Sequence, residues 1–344
     1  MDRPRQVAAR LLVVGADLAG AALAWLGARA GMRVTLVSLA RPASRATALH
    51  PGLVHGPGPP SAPLGWPLLP GEALAASGRR AARGRELLYR FLLDNDDPVG
   101  IRPLPSDVIA GVDAGVDPER LAPLLAGAGF PVEPAAAADG EPVLRRARDA
   151  VLSPGRLVFS LLRRARELGA EIRIGVPVTG WRRVPTGGVI ASIGDEERHF
   201  DHIAWTPDRP PASLADSAGC QVHLVLRQEL GPGKEPLRRV LLDPRGMAIL
   251  APHPRKAGCT VLVRRGRVAA GEEIHWPPLP PSFLPHIGQA LRQRLAEVGD
   301  RPPTHEPGGE GPVAVLGGLA GWPVASILGA CAEFLARWGL AALP

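Results

Sequence analysis

At 344 residues the chain has room for one large or two medium domains, at about 100–200 residues each, which excludes a peptide hormone or a small module. Hydrophobic residues make up 46% and charged residues 21%, a globular balance, and 41 glycines with 39 prolines but no triplet period put the excess in turns and loops rather than a collagen helix. The formal charge is +7, yet Lys234 and Lys256 are its two lysines, the arginines are scattered, and 4% aromatic content argues against the basic-aromatic face of a nucleic-acid binder.

In chain order, Leu11-Leu12-Val13-Val14 reads as a buried strand, Gly15 to Gly20 as a turn of small residues, and residues 21–30 as a helix. Residues 33–37 read as a second strand, so the opening is a β-turn-α-β unit of the size of a right-handed crossover between parallel strands. Residues 40–71 carry no periodicity and have Gly56-Pro57-Gly58-Pro59-Pro60 at their centre, a long loop of the kind compact domains keep for function. Residues 72–93 have helical spacing, with Leu87, Leu88, Phe91 and Leu92 opposite arginines. Residues 121–139 are too weakly patterned to place. Ser153-Pro154 predicts an N-cap and a first-turn proline, with Leu157, Leu161, Leu162 and Leu168 continuing a helix that Gly169 stops. Residues 171–176 and 188–193 read as strands, and Gly194-Asp195 as a hairpin turn leading to another strand over 200–205. Runs over 221–226, 239–250 and 259–263 predict an antiparallel sheet. A proline-rich connection over 277–285, a helix over 287–298, a strand over 313–316 and a last helix over 325–340 complete the chain.

Cys220, Cys259 and Cys331 are odd in number and lack zinc-ligand spacing, so neither a disulfide framework nor a metal site is expected, and a reducing cytoplasm suits them best. The basic amino terminus precedes an apolar run that Asp17 interrupts, which argues against a signal peptide. The uncharged stretch 311–332 is long enough to span a bilayer, but Gly317-Gly318 and Gly321-Trp322-Pro323 divide it, so no membrane span is expected.

A strand, a glycine turn and a helix put free N–H groups and the positive end of a helix dipole where a dinucleotide pyrophosphate sits. In Gly15-Ala16-Asp17-Leu18-Ala19-Gly20 the first and third glycines of G-x-G-x-x-G are present and the middle one is aspartate, at the point of closest backbone approach to the phosphates. There a side chain obstructs and a carboxylate also repels. The acidic residue that usually closes the second strand and takes the ribose hydroxyls is Ser38, a neutral group.

In these residues and in the segments that follow them, the chain resembles the D-amino-acid-oxidase-like group of FAD-dependent oxidoreductases, which includes glycine oxidase-like and glycerol-3-phosphate dehydrogenase-like enzymes. The resemblance runs through the opening unit and through Ser44-Arg45-Ala46-Thr47 with Gly52-Leu53-Val54-His55, similar to a flavin-contacting loop. It continues in Val151-Leu152-Ser153-Pro154-Gly155-Arg156-Leu157, similar to the entry of the middle helix, and in Gly317-Gly318-Leu319-Ala320-Gly321, similar to the last flavin-binding turn. It implies an α/β fold: an FAD-type doubly wound, Rossmann-like domain from residues 1–75, 140–210 and 300–344, with an inserted antiparallel-sheet substrate domain from 76–139 and 211–299. It implies FAD as cofactor, held by Gly15, Gly20, Ser38, Ser44, Arg45, Thr47, Gly317, Gly318 and Gly321, and a small-molecule substrate. Pro207 stands where the family has a glycine in an Ala-Thr-Gly-like turn, a third departure near the adenine half. Either the site tolerates these changes, with Asp17 turned away from the phosphates, or the fold is kept while dinucleotide binding has weakened.

His50 and His55 flank Gly52-Leu53 as candidate flavin-side hydrogen-bond donors, against the blander expectation of polar loop histidines. Arg255 and Arg264 are candidates to clamp a substrate carboxylate, since a guanidinium matches it with two parallel hydrogen bonds. No nucleophile–base pair stands out, and a flavin oxidase requires none. The expected activity is oxidation of a C–N or C–O bond in a small amine, amino acid or hydroxy acid. The alternative is a non-catalytic relative that keeps the fold as a binding or regulatory subunit, with a protein partner or a second copy of itself.

Overall fold

The computed structural model describes residues 8–44, 47, 50–55, 71–96, 98–109, 117–136, 142–185, 187–206, 220–229, 238, 240–242, 248–252, 258–268, 313–315 and 323–338. The amino-terminal part contains β1 (Arg10–Val14), α1 (Leu18–Arg29), β2 (Arg33–Ser38), α2 (Gly71–Leu93), β3 (Arg102–Pro103), β4 (Ser106–Ile109) and α3 (Pro118–Gly127). The middle contains β5 (Glu133–Ala136), β6 (Pro142–Arg146), β7 (Ala150–Val151), α4 (Pro154–Glu167), β8 (Glu171–Ile174), β9 (Val178–Arg183), β10 (Val189–Ile193), β11 (Glu196–Phe200) and β12 (His202–Trp205). Then come β13 (Cys220–Glu229), β14 (Val240–Leu242), β15 (Ala248–Pro252), β16 (Gly258–Val268), β17 (Val313–Val315) and α5 (Val324–Arg337).

β17, β12, β1, β2 and β8 form a parallel sheet in that order, with β1 flanked by β2 on one side and β12 on the other. Strand order reverses at β1, which makes its carboxyl end the ligand-binding position of such a sheet. Because side chains alternate across a strand, Leu11 and Val13 face a helical layer while Leu12 and Val14 face the other side. The helical layer is α1, α4, α5 and the second half of α2, and α1 is apolar all round because it is buried on every side. On the opposite face, Val189, Ala191, Ile193 and Phe200 of an antiparallel sheet, β11-β10-β9, close over the strands where a doubly wound fold would place helices.

A third sheet has seven strands in the order β13-β16-β15-β14-β4-β6-β5. The four from 220–268 are antiparallel, as expected, and β4 extends them through a parallel pairing with β14. A second core, with Leu121, Leu125 and Phe130, lies against this sheet beneath α3 and the start of α2. Within the unplaced stretch 121–139, the described residues hold the rest of α3 and all of β5. Asp117 caps α3, accepting from the Glu119 N–H at 2.9 Å, and Pro118 takes the first turn.

Two expectations needed revision. The single strand over 200–205 is two, because Asp201 passes the chain from one sheet to the other: its N–H donates to the Arg10 carbonyl and its carboxylate accepts from the Arg10 N–H at 2.6 Å. The run over 239–250 is likewise two strands, β14 and β15, paired antiparallel. Ser153 and Pro154 stand at the N-cap and in the first turn of α4 as the sequence predicts, with the Ser153 side chain making no capping bond. The connection at 277–285 and the helix at 287–298 lie outside the described residues. Among the described residues no helix is long and apolar enough to cross a membrane.

Candidate cofactor and substrate site

The turn after β1 is shaped by its two glycines. Gly15 has φ +115°, in the left-handed region that favours glycine, and its N–H donates to the Val37 carbonyl at 2.8 Å. A Cβ on Gly20 would stand 2.1 Å from the Gly15 carbonyl oxygen and 2.9 Å from Thr206 Oγ1, so glycine there is what lets α1 close onto the sheet. Thr206 is buried and its hydroxyl donates to the Val14 carbonyl at 3.1 Å.

Asp17 is not turned away. It is the N-cap of α1, and its Oδ1 accepts from the Gly20 N–H at 2.7 Å. A second amino-terminal donor, the Leu18 N–H, is taken at 2.9 Å by Oγ1 of Thr47, which sits buried against the helix end. Ser38 is buried at the end of β2, its hydroxyl donating to the Ala40 carbonyl at 2.9 Å, which leaves the oxygen as an acceptor for a ribose hydroxyl. Ser44 is half-buried in a turn beside Ala43, a non-glycine residue with φ +57° whose N–H reaches back to the Ala16 carbonyl at 3.1 Å. The loop after β2 is thereby fastened over the glycine turn.

The segment 52–54 lies between β7 and α5. Gly52 N–H donates to His50 Nδ1 at 2.9 Å, so His50 is a turn-forming histidine. Leu152 and Val54 N–H groups bond to Gly52 and Ala150 carbonyls, and the first two N–H groups of α5, on Val324 and Ala325, donate to Leu53 and Val54 carbonyls at 2.8 and 3.0 Å. A Cβ on Gly52 would meet the Leu152 carbonyl oxygen at 2.2 Å.

His55, buried, places Nε2 3.1 Å from the Tyr89 hydroxyl. Burial, reinforced by Arg146 and Arg85, brings its pKa down to about 4, so the ring is neutral at physiological pH. The His55 backbone N–H donates to Asp149, whose carboxylate also accepts from the Ala150 N–H and the Ser106 hydroxyl. Burial pushes the Asp149 carboxyl upward against the pull of Arg146 and these hydrogen bonds. Arg146, buried and over the Phe130 ring, has an Nη1 with no hydrogen-bond partner, and burial pushes its pKa down. Across β4 and β6, buried Asp107 is held by Arg145 through two bonds of 2.8 and 3.0 Å.

Sequence reasoning missed this network. Nothing local marks Asp149 or Ser106, which meet only through the fold, whereas Asp17 did carry a signal, an N-cap residue type directly before a helix. Arg264 lies within β16, opposite His223, rather than at the strand end expected for it. Arg45, Arg255, Gly317, Gly318 and Gly321 lie outside the described residues. Among the described residues no group of His, Cys, Asp and Glu is arranged to hold a metal.

The backbone around β1 fits a dinucleotide. Gly15 and Gly20 keep the cradle that a Cβ at position 20 would fill, α1 points its amino end at it, and the Ser38 oxygen closes the second strand. The misfit is the Asp17 side chain, which occupies a helix-end donor that the phosphates would use.

Comparison with solved structures agrees with this geometry. The chain is similar to glycine oxidase from Geobacillus kaustophilus, with a TM-score of 0.64 and 15% identity over 96% of this chain and 94% of that one. It is similar to iminodiacetate oxidase from Chelativorans sp. BNC1, with a TM-score of 0.62 and 18% identity over 97% and 96%. It is similar too to L-α-glycerophosphate oxidase from Mycoplasma pneumoniae, solved with FAD bound, with a TM-score of 0.62 and 13% identity over 97% and 96%. A comparison with curated protein sequences gives no match. The family model described as FAD dependent oxidoreductase matches residues 10–338. A glycine turn at the switch point of a parallel sheet, a seven-stranded sheet beside it and a family match over nearly the whole chain make this protein a member of the FAD-dependent oxidoreductase family.

Proposed function

We propose that the protein is an FAD-dependent oxidoreductase that oxidises a C–N or C–O bond of a small amine, amino acid or hydroxy acid. The observation that carries this reading is the family match over residues 10–338, joined to a crossover whose glycines keep the nucleotide cradle. When bound, FAD supplies the hydride acceptor. Gly15, Gly20 and the amino end of α1 would hold the phosphates, and the Ser38 oxygen would be free to accept from a ribose hydroxyl. Asp149 fixes the loop at 52–55 through the His55 N–H. Neutral His55, paired with Tyr89, offers a hydrogen bond without adding charge. Arg264 and Arg255 are the proposed clamp for a substrate carboxylate. The enzyme is proposed to work in a reducing cytoplasm, where Cys331 stays a free thiol.

The test is spectroscopic. Purified protein supplied with FAD should show bound-flavin absorbance, and under anaerobic conditions that absorbance should bleach with a small amine, amino acid or hydroxy acid. Protein that stays colourless and takes up no FAD would sink the enzymatic reading. It would favour a binding or regulatory relative, which one observation supports: the Asp17 carboxylate on the Gly20 N–H.

A further inference from the structure

We propose that Asp17 is an internal ligand of the nucleotide cradle, competing with the FAD pyrophosphate for the amino end of α1, so that this protein holds FAD weakly and exchangeably. The inference rests on the FAD reading above and names a residue that sets cofactor affinity.

A helix end offers a few free N–H groups and a partial positive charge, which is what a phosphate binds. Here the chain supplies its own acceptors. Asp17 Oδ1 lies 2.7 Å from the Gly20 N–H, and Thr47 Oγ1 lies 2.9 Å from the Leu18 N–H. Of the two, the Asp17 oxygen carries charge, and it stands at the position where the family motif has its middle glycine. An incoming pyrophosphate must therefore displace a charge-assisted bond and approach a like charge at close range. The two neighbouring glycines have kept the backbone shape: Gly15 has φ +115°, and Gly20 has the Gly15 carbonyl oxygen 2.1 Å from where its Cβ would be. The cradle is intact but self-capped. The same cap satisfies an end donor of α1 without any nucleotide.

The experiment compares apoprotein with Asp17→Gly and Asp17→Asn by FAD titration, following flavin fluorescence, with circular dichroism melts to confirm folding. Glycine removes both the competing bond and the charge, and FAD should bind about tenfold or more tightly, the scale of a lost cap plus a relieved like charge. Asparagine keeps an oxygen for the Gly20 N–H and loses the charge, so its gain should be smaller. Should the glycine variant fail to fold, the asparagine variant carries the test. Added salt should narrow the gap between wild type and Asp17→Asn, because repulsion between charges is screened whereas a merely structural cap is not. Equal affinities for FAD in all three proteins would overturn the proposal while leaving the FAD reading intact. No FAD binding by any of them would overturn both.

Discussion

Ser106 and Asp149 are 43 residues apart in sequence, and the Ser106 hydroxyl donates to the Asp149 carboxylate with both side chains shut away from solvent. The same carboxylate holds the backbone of His55 and Ala150, so one side chain fastens the seven-stranded sheet to the loop beside the nucleotide site.

Asp149→Ala should therefore be severe. It strands a buried hydroxyl, two N–H groups and the Arg146 charge, a loss of about 3–5 kcal/mol for breaking a buried ionic network. Asp149→Asn keeps one acceptor and should cost less. Urea unfolding curves of the two variants would measure this, and an Asp149→Ala protein as stable as wild type would refute the network.

His55 makes stability depend on acidity. Its folded pKa of about 4 lies below the ordinary histidine value of 6.5, so the unfolded chain takes up the proton first as pH falls. The contribution is fully present above about pH 6.5 and is lost progressively down to about pH 4, up to about 3 kcal/mol in all. The raised Asp149 carboxyl acts in the opposite sense, favouring the folded state at low pH. His55→Asn removes the first effect, so the difference between wild-type and variant stability measured from pH 7.5 to 4.5 isolates it. Parallel curves would show that His55 is not buried neutral.

Helices α2 and α5 meet through glycines. A Cβ on Gly84 would lie 1.6 Å from the Ala325 carbonyl oxygen, and one on Gly329 would lie 2.0 Å from the Arg80 carbonyl oxygen. Within an exposed helix, Gly→Ala usually gains about 1 kcal/mol. Here the sign should reverse, with Gly84→Ala or Gly329→Ala losing about 1–3 kcal/mol as backbone must move. A rise in Tm for either variant would mean that the helices do not approach so closely.

Cys331 points its Sγ at the Ala19 carbonyl, and burial, with a smaller contribution from the Asp17 charge, pushes its thiol well up from the usual range. Alkylation of native protein at pH 8, read by mass spectrometry, should leave Cys331 unmodified until the chain is unfolded. Rapid native labelling there would contradict the packing of α5 on α1.

The opening crossover was legible because its signals are local: an apolar run, a left-handed glycine, and a helix of small residues. Ranges over 72–93 and 313–316 were legible for the same reason. The pattern failed where neighbours in space decide the outcome. Asp201 splits one apolar run because each side of it joins a different sheet. Residues 133–136 become a strand by pairing with β6, although Pro134 and two alanines give them little strand preference of their own. At the candidate site, Gly15 and Gly20 stand at the motif's spacing, and Asp17, out of place in that motif, is of a residue type that caps helices. The cluster of Ser106, Arg146, Asp149 and His55 has no linear signature, since its members come from three separate stretches of chain.

The stitching of segment 52–54 to the first turn of α5 bears on the order in which the molecule can be completed during synthesis. Carbonyls made early in translation, on Leu53 and Val54, wait for N–H groups that emerge some 270 residues later, on Val324 and Ala325. The crossover draws on residues within the first forty, but the loop beside the nucleotide cradle has its full set of backbone bonds only once the carboxyl-terminal helix arrives. Truncation before residue 324 should accordingly leave the amino-terminal strands paired and that loop without its two bonds to the carboxyl-terminal helix.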